Sequence, residues 1–131
     1  MKIMVLAPSR VRLEASVGQT LTVVAIYSGM GTRRVGRREF RTVLIRDVRE
    51  ASTGALLTDH LWFNRGNIWR KARLLPGDVV EFEARSIEYR PGHWGPDLVR
   101  RLENPPRVDY KLTAPSKVRL ISRETGNRTA A

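Results

Sequence analysis

Residues 56–89 read LLTDHLWFNRGNIWRKARLLPGDVVEFEARSIEY, and the apolar period changes twice along them. LLTDHLWF (56–63) alternates. Leu57, Leu61 and Phe63 share one face, while Thr58, His60 and Trp62 share the other, which is the pattern of a half-buried strand. With Asn64 as N-cap, the spacing turns helical over 65–75, where Ile68, Trp69, Ala72 and Leu75 fall on one side and Trp69 is expected in the core. Leu74-Leu75-Pro76-Gly77-Asp78 stops this helix, since Pro cannot continue it and Gly accepts the left-handed turn. VVEFEARSIEY (79–89) returns to a period of two, with Val80, Phe82 and Ala84 inward and Glu81, Glu83 and Arg85 outward.

The flanking sequence extends this strand–helix–strand frame. FRTVLIRDV (40–48) is a strand joined to 56–63 by the turn EASTGA (50–55), in which Thr53-Gly54 supplies a positive φ. On it we place Val43 and Ile45 inward, Phe40 and Arg46 outward. TLTVVAIY (20–27) is a β-branched, alternating strand. Between these two, SGMGTRRVGRRE (28–39) sets Gly29, Gly31 and Gly36 among Arg33, Arg34, Arg37 and Arg38, and is expected as a flexible basic loop. RPGHWGPDLVRRLENPPR (90–107) is a Pro/Gly-rich connection, and VDYKL (108–112) with KVRLI (117–121) form a last extended segment bent at Pro115. Residues 1–18 are an N-terminal extension, either a short helix or an extra strand; 19–121 form the main domain, and 122–131 a flexible tail. The order is three strands, one short helix between strands 3 and 4, then two strands. That is the order of an all-β, five-stranded OB-fold, a partly open Greek-key barrel.

The chain has 131 residues, 24 Lys+Arg against 13 Asp+Glu, and a formal net charge of +11. One domain is the expectation at this length. The excess is spread evenly, +6 over residues 1–65 (11 basic, 5 acidic) and +5 over 66–131 (13 basic, 8 acidic), so it belongs to the folded part. Twenty of the cations are Arg, the side chain that pairs bidentately with phosphate and stacks on rings. A polyanion is therefore the default partner. There is no Cys, and only two His, so no disulfide frame, thiolate nucleophile or Cys-based metal site can form. No apolar run approaches the ~18 residues of a membrane span. The opening MKIMVLAP is shorter than a secretory apolar region. A soluble, cytoplasmic protein that does not engage a membrane is expected.

Short motifs add a resemblance. VGQTLTVVAIYSG (17–29) resembles the first strand of OB domains in the single-strand-binding and anticodon-binding groups. Gly36, Phe40 and Leu44-Ile45-Arg46-Asp47 are similar to the second strand of anticodon-binding OB domains, with a longer spacing from Phe40 to Asp47 than that pattern has. Leu75-Pro76-Gly77-Asp78-Val79-Val80-Glu81-Phe82 resembles the start of the fourth strand in many OB domains. The resemblance covers roughly residues 17–121 and is one of fold. TDHLWF and DYKLTAPSKVRLI are also similar to uncharacterised proteins of bacterial phages and mobile elements, which implies no established activity.

OB-folds bind single strands on the face of strands 2 and 3, flanked by the loops after strands 1 and 4. Such a groove needs cations for phosphates and flat side chains for bases. The residues expected to supply them are Arg33, Arg34, Arg37, Arg38, Phe40, Arg41 and Arg46, then His60 and Trp62, then Tyr89, Arg90, His93, Trp94, Arg100 and Arg101. Trp62 either faces the groove or packs beneath the long connection. Trp94, in PGHWGP, either caps the barrel or stands exposed for stacking. Asp59 and His60, as strand neighbours, are expected to point to opposite faces and to form no acid–base pair. No phosphate-cradling GxxxxGK[ST], HExxH or Mg²⁺-binding carboxylate cluster occurs, so neither catalytic residues, a metal nor a cofactor is expected. The expected function is single-stranded nucleic-acid binding with weak sequence preference, DNA first, as in replication or recombination of a mobile element, and RNA close behind. The alternative is a protein-interaction or assembly module meeting an acidic partner. Free sheet edges and the 1–18 segment leave pairing with a second copy open.

Overall fold

The computed structural model describes residues 10–123. In chain order the elements are α1 (Val11–Ala15), β1 (Thr20–Val35), β2 (Arg38–Glu50), β3 (Leu56–Asn64), α2 (Asn67–Ala72), β4 (Val79–Tyr89), α3 (Leu98–Glu103) and β5 (Asp109–Ser122). The five strands form one antiparallel sheet in the order β3-β2-β1-β4-β5. β1 to β4 therefore lie as a Greek key, with the fourth strand returning beside the first. The two edge strands, β3 and β5, share no ladder, so the sheet is not closed into a full barrel.

The core lies on the concave side. Val23, Ala25, Val43, Ile45, Val48, Leu57, Leu61, Val80, Phe82, Ala84 and Leu112 are buried there, as the alternation on each strand requires. Phe63, Trp69 and Phe82 close one end as an aromatic cluster with ring centroids 5.4–5.9 Å apart. α1 covers the other end with the fully buried Leu13. The buried Ser86 Oγ donates to the Leu13 carbonyl at 2.6 Å. Of the two readings of 1–18, the described part, residues 10–18, is the helical one, and residues 1–9 lie outside the description. The tail reading of 122–131 likewise falls on residues 124–131 outside it; Ser122 ends β5 and Arg123 is held by Asp78.

Arg10 bridges the unpaired seam. Its guanidinium donates to Thr58 Oγ1 (3.2 Å) and the His60 carbonyl (3.3 Å) on β3, and to Asp109 Oδ2 (3.1 Å) and the Tyr110 carbonyl (2.8 Å) on β5. One planar side chain thus replaces several missing ladder bonds between the edges.

Three expectations are corrected. The basic segment 28–39 is not a flexible loop. β1 and β2 run on as a paired ribbon to Val35↔Arg38, closed by Gly36-Arg37. Gly36 sits at φ 60, where a two-residue hairpin turn places Gly, and that turn matches strand twist. The single helix is joined by two more, α1 and α3, each a short segment. The helix after β3 is also shorter than 65–75. Asn64 stays in β3 opposite Thr42, and Arg65 N–H adds a further bond to the Arg41 carbonyl (2.8 Å). The helix starts after Gly66, and Arg73 ends it in the left-handed conformation (φ 51), leaving Leu75 exposed. Among the described residues no helix is long and apolar enough to cross a membrane.

Candidate nucleic-acid interface

Strand register sorts the expected residues onto two faces of the β1–β2 ribbon, because paired residues project to the same side. Arg33↔Phe40, Gly31↔Thr42 and Leu44↔Trp62 share the convex face with Val35↔Arg38 and Arg46↔His60. Arg34↔Glu39 and Thr32↔Arg41 share the opposite face, in line with the buried Val43. Arg33, Arg38, Phe40, Arg46, His60 and Trp62 are therefore brought together, while Arg34 and Arg41 are turned away from them. Arg37 sits at the turn.

Trp62 is the centre of the convex face. It is 53% exposed. Its six-membered ring lies against the backbone of Gly31, where an added Cβ would stand 3.2 Å from Cζ3. A side chain at this position would press on the ring and on Thr42 Oγ1. Two surface hollows flank the ring. One, of about 290 Å³, is lined by Thr32, Arg33, Thr42 and Trp62. The other, of about 220 Å³, runs from Arg33 and Trp62 to Lys111 and Thr113 across the open β3–β5 seam. Lys111 in turn lies over the Tyr89 ring, with Nζ 4.7 Å from its centroid. Arg33, Trp62 and Lys111 thus line one hollow, and Lys111 connects it to the Tyr89 ring. Phe40 is half-buried and carries the Arg38 guanidinium 5.4 Å from its centroid.

Of the two readings for Trp62, the exposed one holds; it does not pack under the long connection. Trp94 is also half-exposed, at 49%. It is nonetheless fastened to its own loop: Nε1 donates to the Arg90 and Pro91 carbonyls, and Arg90 covers its ring at 5.4 Å. His93 turns inward, with Nε2 buried and without a hydrogen-bond partner among the described residues. Arg100 and Arg101 stand on α3, exposed, with Arg100 near Asp97. The expectation that Asp59 and His60 diverge is corrected: His60 Nδ1 and Asp59 Oδ1 are 3.1 Å apart. Both are exposed on an edge strand, where nothing packs against them and the ring can swing along the backbone to its neighbour.

The distribution of ion pairs separates the two halves of the sheet. Between β4 and β5, Glu81 pairs with Arg119 and Glu83 with Lys117, and just beyond their ends Asp78 pairs with Arg123. Asp78 is fully buried, and the Arg123 guanidinium, assisted by the Leu75 N–H, holds its carboxyl below the ordinary carboxylate range despite burial. On β2 Asp47 pairs with Arg49, but Arg33, Arg34, Arg37, Arg38, Arg41 and Arg46 make no ion pair among the described residues. No protein-family model matches the chain, and neither a curated protein nor a solved structure is significantly similar to it.

Three residues that line these hollows were not singled out from the sequence. Lys111 lay within the last extended segment. Arg65 and Arg70 lay within the expected helix, and they line a hollow of about 260 Å³ with Arg41 and Asn67. The only sequence signal was that no acid lies between Asp59 and Asp78.

Proposed function

We propose that this protein is a non-catalytic OB-fold domain that binds single-stranded nucleic acid in the cytoplasm, DNA before RNA, with weak sequence preference. The observation that carries the reading is the exposed Trp62 ring, laid on Gly31 between Arg33 and Lys111. An indole face offers stacking to any base, and the cations on either side meet phosphates. The strand order β3-β2-β1-β4-β5, open between β3 and β5 with α2 between β3 and β4, supports reading the sheet as an OB barrel left open at one seam. The arginines on the Trp62 face, Arg33, Arg38 and Arg46, support a polyanionic partner, since none of them makes an ion pair among the described residues.

The test is a titration with a short oligonucleotide, read by Trp fluorescence over a range of salt. Binding should quench fluorescence, and its logarithm should fall with the logarithm of salt by about 0.7 per phosphate contacted on a single strand. Absence of quenching in the parent, or of any salt dependence, sinks the reading.

A second reading rests on α3. Leu98, Val99 and Leu102 are all exposed on it, beside Arg100 and Arg101. An assembly module contacting an acidic protein partner would use this surface. Such a module would not bind the oligonucleotide, and Leu98→Ser with Leu102→Ser would abolish its association while leaving any oligonucleotide binding intact.

A further inference from the structure

The ribbon has a second cationic face that the single-strand reading does not use. Beyond the last β2–β3 pair, Thr42↔Asn64, four β1–β2 pairs continue alone, from Thr32↔Arg41 to Val35↔Arg38. At about 3.4 Å per residue this ribbon projects ~13 Å from the sheet. Its side away from Trp62 carries Arg34 and Arg41, and it runs into Arg65 and Arg70 at the β3–α2 junction. The Arg65 N–H bond to the Arg41 carbonyl fixes these two residues beside each other (2.8 Å). Asn67 Oδ1 accepts from Arg70 Nη2 at 2.6 Å and orients that guanidinium. None of the four arginines makes an ion pair among the described residues, and Glu39 is the one carboxylate at the rim.

This face differs from the convex one in what it offers a ligand. Its neighbouring rings are less open than Trp62: Tyr27 and Trp69 are buried, and Phe40, at the edge of the hollow, is half-buried with Arg38 over its ring. Cations with little open ring surface beside them suit phosphates whose bases are already paired. A two-stranded ribbon also fits the major groove of a double helix, which is about 12 Å wide.

We infer that the preferred ligand is a junction between single-stranded and double-stranded DNA. The unpaired strand lies on the Trp62 face, and the adjoining duplex is held by the ribbon and by Arg34, Arg41, Arg65 and Arg70. The inference rests on the single-strand reading for one of its two faces and adds the duplex on the other.

The test compares a single strand, a blunt duplex and a forked duplex with one unpaired arm, in DNA and again in RNA, by fluorescence anisotropy. The DNA fork should bind at least about tenfold tighter than either part, as linked engagement of two sites requires. The variant Arg34→Ala/Arg41→Ala/Arg65→Ala/Arg70→Ala should bind the fork no better than the single strand. It should keep the parent's single-strand affinity within about twofold and its Trp quenching, because those arise on the other face. As a second variant confined to exposed side chains, Arg41→Glu/Arg70→Glu should do the same. A parent that binds fork and single strand equally overturns the inference, as does a four-arginine variant that weakens the single strand as much as the fork. A preference for the RNA fork overturns the DNA assignment. Failure of the single-strand reading itself is distinguishable: the parent would then show no Trp quenching with the single strand whatever the fork does.

Discussion

Trp62 and Trp94 are similarly exposed but differently held, and their substitutions should separate. Trp62 lies on glycine with its outer face free, so Trp62→Ala should lose about 1–3 kcal/mol of single-strand affinity. The loss should persist at high salt, where the arginine contribution is screened. Trp94 has its N–H bonded within its own loop and one ring face covered by Arg90. Trp94→Ala should lose less than Trp62→Ala, and equal losses in isothermal titration would mean that the loop opens on binding. The third tryptophan is structural. Trp69 is buried between Phe63 and Phe82, so Trp69→Ala should cost about 3–5 kcal/mol in urea denaturation. Its indole N–H has no hydrogen-bond partner among the described residues. Trp69→Phe should therefore cost much less than the alanine change, since no satisfied donor is removed.

At the scale of the element, the turn before β4 is tied to the end of β5 by a single carboxylate. Asp78 accepts from Leu75 N–H (2.8 Å) and, with both oxygens, from Arg123 Nε and Nη2 (3.0 and 2.9 Å). Its folded pKa is depressed, chiefly by the Arg123 hydrogen bonds. The stabilisation is therefore complete above the unfolded Asp value of about 3.9 and is lost as pH falls through that value toward the lower folded one. Urea midpoints measured from neutral pH down to about pH 3 should fall for the parent across that window. Asp78→Asn should start lower and fall less. An Asp78→Asn slope as steep as the parent's would assign the acid sensitivity to other carboxylates.

For the whole molecule, an excess of +11 on 131 residues is a store of self-repulsion. The arginines of the β1–β2 ribbon, which make no ion pair among the described residues, contribute to it. Bound polyanion should relieve it. At 100-fold excess over Kd, an oligonucleotide should add about 2.7 kcal/mol to stability by mass action. The Tm should rise with oligonucleotide, and the rise should shrink as salt increases. A Tm indifferent to oligonucleotide at low salt would count against the nucleic-acid reading at this scale.

The sequence by itself determined the strands, the strand–helix–strand order and most of the core. Alternation places Val80, Phe82 and Ala84 inward whatever else the chain does, because a strand's side chains must project to opposite sides. It also determined the charge, and it left Trp62 on the outer side of β3 with two readings. Tertiary structure decided the rest. The glycines and arginines of 28–39 read locally as a loop, and only the opposing strand and the Gly36 turn make them a ribbon. Thr58 shares the outward parity of Trp62, yet it is buried because Arg10, 48 residues away in sequence, donates to its hydroxyl. Arg34 and Arg41 part from Arg33 and Arg38 through pairing register, a long-range property that no local pattern encodes. Arg65 and Arg70 join Arg41 for the same reason, since the β2–β3 ladder carries the start of α2 to the base of the ribbon.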